Sequence, residues 1–221
     1  KRGSIRNWLL NTVSVSNLLV DNQHMKDRIL LEDVPSGQEY LADIIEAMKK
    51  GCCITMTYQS YWRSNKHTFD VEPYCVKLFK QRWYMVGRGP YNNKVLIYAL
   101  DRILHMYVTE TKFSMPKAFN PEEYFEDYYG VITDDDLDVE RVKLKVSAGQ
   151  ANYLRSLPLH HSQQEILAAE GYSVFELRLR PTFDFYQEIL WNGEDVEVLE
   201  PLWLRKEIAG KIEKMWDKYR S

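Results

Sequence analysis

The spacing of apolar and polar residues changes character twice along this 221-residue chain, and each change predicts a different kind of element. Through residues 1–48 the apolar positions recur at helical intervals. Ile5, Trp8, Leu9 and Val13 make one run, and Leu18 and Leu19 continue it beyond a Ser/Asn-rich stretch. A second helix is marked more sharply: Pro35 precedes Ser36, which lies three residues before Glu39 as in a capping box. Leu41, Ile44, Ile45 and Met48 give it one apolar stripe, and Gly51 supplies the stop. From residue 52 the period shortens to two. Five β-runs follow at 54–58, 68–78, 82–87, 95–100 and 103–109, with turn signals at Ser64-Asn65-Lys66, Phe79-Lys80-Gln81 and Gly89-Pro90-Tyr91-Asn92-Asn93. So many short antiparallel strands in so little chain predict a small closed barrel of SH3-like or Sm-like type, because closure removes exposed edges.

A second change comes at residue 113. Pro116 and Pro121 stand among Phe119, Tyr124, Phe125, Tyr128 and Tyr129, which predicts a short helix over 121–128 and then a solvated linker. Asp134-Asp135-Asp136 in that linker lacks the alternating ligand spacing and central glycine of a calcium loop. Strand and helix then alternate: a strand over 142–146, a helix over 148–156, strands near 163–167 and 172–179, a helix over 183–191 and a strand over 196–199. The final helix opens at Pro201, with Leu204, Ile208, Ile212, Met215 and Tyr219 as its stripe. The order β-α-β-β-α-β is that of a ferredoxin-like domain with an added C-terminal helix. The expected fold class is therefore α+β, in four regions: a helical linker region (1–48), the barrel (49–112), an acidic linker with a short helix (113–139) and a C-terminal α/β domain (140–221).

Composition adds little to this until charge is mapped onto it. Hydrophobic residues at 45% and charged residues at 28% describe an ordinary globular chain. No apolar stretch approaches the roughly 20 residues that span a bilayer, and the N-terminus lacks a secretory signal, so no membrane partner and a cytoplasmic location are expected. The formal net charge of −3 hides a segregation. Residues 49–112 hold 11 basic and 4 acidic side chains, whereas residues 113–138 hold 1 basic and 8 acidic. Such a basic unit attracts polyanions, unless the acidic segment beside it neutralises it. Cys52, Cys53 and Cys75 form neither a disulfide framework nor a zinc array and are expected to be buried, inert thiols. His160-His161 lacks metal-ligand companions, and no P-loop, dinucleotide fingerprint or nucleophile elbow occurs. No catalytic residue, metal or cofactor is assigned, and no enzymatic activity is expected.

Three landmarks inside the basic segment carry a resemblance. Val71-Glu72-Pro73-Tyr74, Arg82-Trp83-Tyr84-Met85-Val86-Gly87 and Leu100-Asp101-Arg102-Ile103 follow one another, after Met56-Thr57-Tyr58 on the first strand. In order and spacing they resemble the WYL domain, whose Trp-Tyr-Leu triplet stands here as Trp83-Tyr84-Met85. The segment with Trp191-Asn192-Gly193 and Leu199-Glu200-Pro201 is similar to the extension that commonly follows such domains. The resemblance covers about residues 50–221. It implies a bacterial transcriptional regulator in which a winged helix-turn-helix head is controlled by an Sm-like barrel with a basic groove for nucleic-acid fragments, nucleotides or other effectors. No such head is readable in residues 1–48, and the chain opens at Lys1 rather than at a methionine, so the expectation is a fragment whose DNA contact is made by a missing N-terminal head. One departure stands out: where relatives often place an arginine before Leu-Asp-Arg, this chain has Leu96, Ile97 and Tyr98.

The candidate ligand residues follow from the charge map and from strand alternation. Trp83 and Tyr84 point to opposite faces, so one is core; the other either stacks a base or packs at a seam. Arg102 either grips a phosphate or pairs with a local carboxylate. Lys77, Lys80, Arg82 and Arg88 form a basic rim, and Tyr58, Ser60 and His67 of the first hairpin offer hydroxyl and imidazole hydrogen bonds. The expected function is a ligand-sensing regulatory core that binds an anionic effector, such as a single-stranded nucleic acid or nucleotide, and works as a homodimer. The alternatives are an accessory module that binds single strands directly, or a dimerisation scaffold with no effector of its own.

Overall fold

The helical stripe around Ile44 and the strand alternation that begins at Cys52 meet in one core, and the rest of the fold is arranged around that junction. The computed structural model describes residues 37–61, 65–90 and 94–220. The predicted run of Ile5, Trp8, Leu9, Val13, Leu18 and Leu19, the cap at Ser36, and the turn residues Ser64, Tyr91, Asn92 and Asn93 lie outside them. A 3-10 turn over Gln38–Tyr40 leads into α1 (Leu41–Lys50). The Glu39 carboxylate accepts a hydrogen bond from the Gly37 N–H at 2.8 Å, and Gly51 ends the helix at φ 61°, where a glycine carries no Cβ penalty. Ile44 and Ala47 are buried but Ile45 is 47% exposed. One residue is about 100° of helix rotation, which carries Ile45 off the stripe expected to hold it.

Five strands follow: β1 (Cys52–Tyr58), β2 (His67–Phe79), β3 (Arg82–Arg88), β4 (Val95–Ala99) and, after a 3-10 turn over Leu100–Arg102, β5 (Ile103–Lys112). All pair antiparallel in the order β4-β3-β2-β1-β5. The closed barrel expected from the sequence is not formed, since no ladder joins β4 to β5 among the described residues. Both edges are blunted by other means: β4 is short, and the outer end of β5 is exposed and polar from Glu110 to Lys112. The long strand β2 is interrupted at Pro73, where the register with β3 shifts between Pro73 and Cys75. Gly87 lies opposite, where a Cβ would come within 2.4 Å of the Glu72 carbonyl oxygen, so only glycine permits the approach. Ile44, Ala47, Ile54, Met56, Val71, Met85, Leu100, Ile103 and Met106 form the core beneath this sheet.

Beyond the linker the alternation predicted from sequence is the one observed. β6 (Glu140–Ser147), α3 (Ala148–Ser156), β7 (Gln164–Ala169), β8 (Tyr172–Leu179), α4 (Phe183–Trp191), β9 (Val196–Glu200) and α5 (Leu202–Tyr219) follow α2 (Pro121–Tyr124). The predicted helix over 121–128 therefore stops at Tyr124, because the next turns close with three-residue bonds from Glu126 N–H to Glu123 and from Tyr128 N–H to Phe125. The four strands order as β7-β8-β6-β9. Val142, Leu144 and Val146 alternate inward on β6 and join Phe175, Leu177, Leu179, Phe185, Ile189, Leu204 and Ile208 in a second core. The stripe predicted for the last helix is only half used. Leu204 and Ile208 are buried, whereas Ile212, Met215 and Tyr219 are exposed, because α5 runs on past the end of the sheet's core. Pro201 is the N-cap and not the first helical residue. No helix among the described residues is long and apolar enough to cross a membrane. All the described residues belong to one compact unit.

Candidate functional site

The 3-10 turn between β4 and β5 brings together side chains that are far apart in sequence. The Gln59 N–H donates to the Arg102 carbonyl oxygen at 3.1 Å, and the Ala99 N–H donates to the Tyr58 hydroxyl at 3.2 Å, which stitches the end of β1 to this turn. Burial pushes the Tyr58 phenol above its ordinary pKa, while the neighbouring Arg102 guanidinium pulls it back. Beside it the Asp101 carboxylate takes Arg82 Nε at 3.4 Å and the Tyr61 hydroxyl at 3.3 Å. The Arg102 guanidinium lies 4.4 Å from the Tyr61 ring centre, a cation–π contact. Two atoms of this cluster, Arg102 Nε and Asp101 Oδ1, are buried without a hydrogen-bond partner among the described residues. A buried donor or acceptor left unpaired costs about 1–3 kcal/mol, and an acceptor that reached Arg102 Nε would satisfy the donor of the two.

Arg102 also lines a cleft of about 750 Å³, with Tyr84, Val95, Ile97 and Ala99 on its own side. The opposite wall comes from the linker and α4: Val131, Ile132, Thr133, Phe183 and Asp184. That wall is fixed by Asp184, whose Oδ2 accepts the N–H groups of Val131 and Ile132, both at 2.8 Å. Gly130 adopts φ +92°, and a Cβ there would fall 2.4 Å from Asp184 Oδ2, so the linker can approach only through a glycine.

Of the residues predicted from sequence, Tyr58, Arg82 and Arg102 gather at this turn. Ser60 is half-buried just beyond β1, and His67 is exposed across the ladder from Tyr58. The rest of the basic rim goes elsewhere. Lys77 donates to the Gly130 carbonyl at 2.5 Å and lies 3.6 Å over the Phe125 ring; burial lowers its pKa to about 8. Lys80 pairs with Glu188 at 2.8 Å, and the Tyr129 hydroxyl donates to the same carboxylate at 2.5 Å. Arg88 pairs with Glu72 at 2.5 Å, at the opposite end of β3 from Arg82 and about 20 Å away along the strand. Trp83 packs against the first core, whereas Tyr84 faces the cleft, half-buried, its phenol pushed up chiefly by burial. Cys52 and Cys53 are buried and Cys75 is half-buried, all as free thiols; burial pushes Cys75 up to about 11.

Sequence reasoning missed Tyr61, Asp101 as the partner that occupies Arg82, and the whole far wall. Asp101 stood inside a quoted signature, so its acidity was available as a signal. Nothing in the local sequence marks Asp184 as the clamp of a linker more than fifty residues upstream.

Residues 39–108 match the WYL domain and residues 138–216 match the WCX domain. The chain thus carries a WYL domain followed by a WCX domain. Protein PafB of Mycobacterium tuberculosis is 24% identical over 180 residues, which cover 80% of this chain and 52% of that one. This WYL-domain chain thus spans about half the length of the curated relatives it matches. Among solved structures, proteasome accessory factor B/C of Arthrobacter aurescens is 22% identical over 81% of this chain and 27% of its own, with a TM-score of 0.40. A CRISPR Cas-related protein, 15% identical, covers 83% of this chain and 53% of its own at a TM-score of 0.51, which shows a shared fold and nothing about function.

Proposed function

We propose that this chain is the effector-sensing part of a bacterial transcriptional regulator, in which an anionic effector, a nucleic-acid fragment or nucleotide, docks at the Leu100–Arg102 turn and controls a DNA-binding head. The observation that carries the reading is the unpartnered, buried Nε of Arg102 beside a cleft whose two walls come from different parts of the fold. An effector that bound there would contact the first sheet and the linker–α4 wall together, and so would favour one packing of the two over another. The pairing of a WYL with a WCX domain supports the same reading. On this reading residues 49–112 are the sensor, as an open SH3/Sm-like sheet. Residues 113–139 are the linker, and residues 140–221 are a ferredoxin-like extension with one added helix.

The test is titration of short single-stranded DNA, RNA and nucleotides over a salt series, with the wild type and a triple substitution of Lys80, Arg82 and Arg102. Affinity is expected to fall with salt, with a log–log slope of about −0.7 per phosphate engaged, and to drop in the variant. No binding of any anion, or equal binding by the variant, removes the reading.

The exposed residues Ile212, Met215 and Tyr219 of α5 favour a second reading, in which the chain holds two copies together as a dimerisation scaffold. Light scattering that returns a monomer mass at all concentrations excludes it.

A further inference from the structure

Resting on the part of the reading above that places an anionic effector at the Leu100–Arg102 turn, we infer that this effector is a small organic monoanion, with its one anionic group on Arg102 and an apolar body between the walls, in place of the nucleic-acid fragment or nucleotide. The disposition of charge carries this. Although the first sheet lies in a segment with a large basic excess, three of its cations are committed, Arg82 to Asp101, Lys77 to the Gly130 carbonyl and Lys80 to Glu188, and Lys94, next to the lining residue Val95, is exposed outside the lining. Among the described residues Arg102 is the cation that lines the cleft, and its Nε lacks an acceptor there. The rest of the lining is largely apolar, through Val95, Ile97, Ile132 and Phe183.

The far wall is also the wrong sign for phosphates. Its linker part, Val131 to Thr133, belongs to the segment that holds 8 acidic residues against 1 basic, with Asp134, Asp135 and Asp136 directly after Thr133 in sequence. Asp184 adds a carboxylate at the wall itself. A strand of phosphates crossing the cleft would gain one guanidinium and then meet like charge, whereas a ligand charged at one end only would meet none of it. The volume of about 750 Å³ lies in the range of pockets that enclose small molecules.

The experiment uses 1-anilinonaphthalene-8-sulfonate, an aromatic monoanion whose fluorescence reports binding, with the full chain and three variants that retain the wild-type circular dichroism. Arg102→Gln removes the cation and is expected to weaken binding by about tenfold or more. Ile132→Glu places a carboxylate on the exposed edge of the far wall and is expected to weaken it comparably. Trp216→Ala, on the exposed outer face of α5, is expected to leave it unchanged. Binding that survives both cleft substitutions, or that is lost with Trp216→Ala, overturns the proposal. A short oligothymidylate is titrated alongside. If it binds through Arg102 with a steep salt slope while the dye ignores both cleft substitutions, the monoanion inference fails and the effector reading stands. If neither probe binds, both fail. Dye binding lost with Arg102→Gln and Ile132→Glu, with no oligothymidylate binding, supports the inference and narrows the effector to a small molecule.

Discussion

Both sheets of this WYL–WCX chain carry lysines and arginines on outward faces, and they dispose of them differently. In the four-stranded sheet the cations of β6 pair with carboxylates on the neighbouring strands, directly opposite or one step diagonal: Lys143 with Glu200, Lys145 with Glu197 and Arg141 with Glu176. That face satisfies itself within the sheet. In the five-stranded sheet Arg88 pairs in the same way with Glu72 across the ladder, but three other cations of its strands and β2–β3 turn reach outward, Arg82 to the 3-10 turn, Lys77 to the linker and Lys80 to α4. The same residue types thus make a solvated scaffold in one sheet and a seam in the other. Arg102 sits at that seam with a donor to spare. A basic excess read from composition therefore marks where connections are made more than where a polyanion lies.

The sharpest way to break the contrast is to unseat the linker. Gly130→Val puts a side chain where Asp184 Oδ2 stands and forces a bulky residue to φ +92°, so Asp184 loses the N–H groups of Val131 and Ile132. With two charge-assisted bonds and a strained backbone at stake, unfolding free energy in urea is expected to fall by about 3 kcal/mol or more. A loss below about 1 kcal/mol would mean that the seam is not held by this clamp.

Lys77 gives a second, pH-resolved handle. Its folded pKa of about 8 lies below the ordinary lysine value of 10.5, chiefly through burial. Between those values the unfolded chain binds more protons than the folded one, so stability rises with pH through that window and the penalty is fully present below it. From about pH 8 to pH 10 the gain is expected to be on the order of 2 kcal/mol, and Lys77→Met should abolish the rise. Equal pH profiles for the two proteins would place Lys77 in water, on the model of the lysines in the other sheet.

These two sites also show what was readable in the sequence. Strands and helices were legible almost to the residue where one period ran unbroken, as in 148–156, 172–179 and 183–191, because alternation and helical spacing are local consequences of which face is buried. Closure of the first sheet was not, since whether β4 meets β5 depends on the bend at Pro73 and on where the turn at Leu100–Arg102 leads. The basic cluster was legible as a count, and Arg102 was picked out with it. The partners of Lys77 and Lys80 were not, because Gly130 and Glu188 lie more than fifty residues away and no short pattern couples them. Ile45, Ile212, Met215 and Tyr219 show the converse failure: a periodic stripe says which side of a helix could be buried, not how far the core extends beneath it.

A smaller effect tests how Arg102 is kept available. Asp101 is engaged by Arg82, and its Oδ1 is otherwise unpartnered among the described residues. In Arg82→Gln that carboxylate loses its cation and competes for the adjacent Arg102. Affinity for an anionic probe is expected to fall about threefold to tenfold with little change in stability, and adding Asp101→Asn should restore it. If the double substitution binds no better than the single one, Arg82 contacts the ligand itself and does not act through Asp101.

The smallest expected effect lies in the other sheet, and its smallness is what the comparison requires. Lys145 is 3.9 Å from Glu197 with both side chains 44% exposed, and it lies 4.8 Å from the Tyr172 ring centre. Glu197 is also held by Arg205 Nη1 at 2.6 Å, so removing Lys145 does not orphan the carboxylate. An exposed pair of this kind contributes about 0–1 kcal/mol. Lys145→Gln keeps most of the stem over the ring and loses only the charge. Its unfolding free energy should stay within about 0.5 kcal/mol of wild type, with probe affinity unchanged. A larger loss, or any shift in probe binding, would show that the four-stranded sheet is coupled to the site through its solvent face, and the division between a self-satisfied scaffold and a connecting sheet would fail at that point.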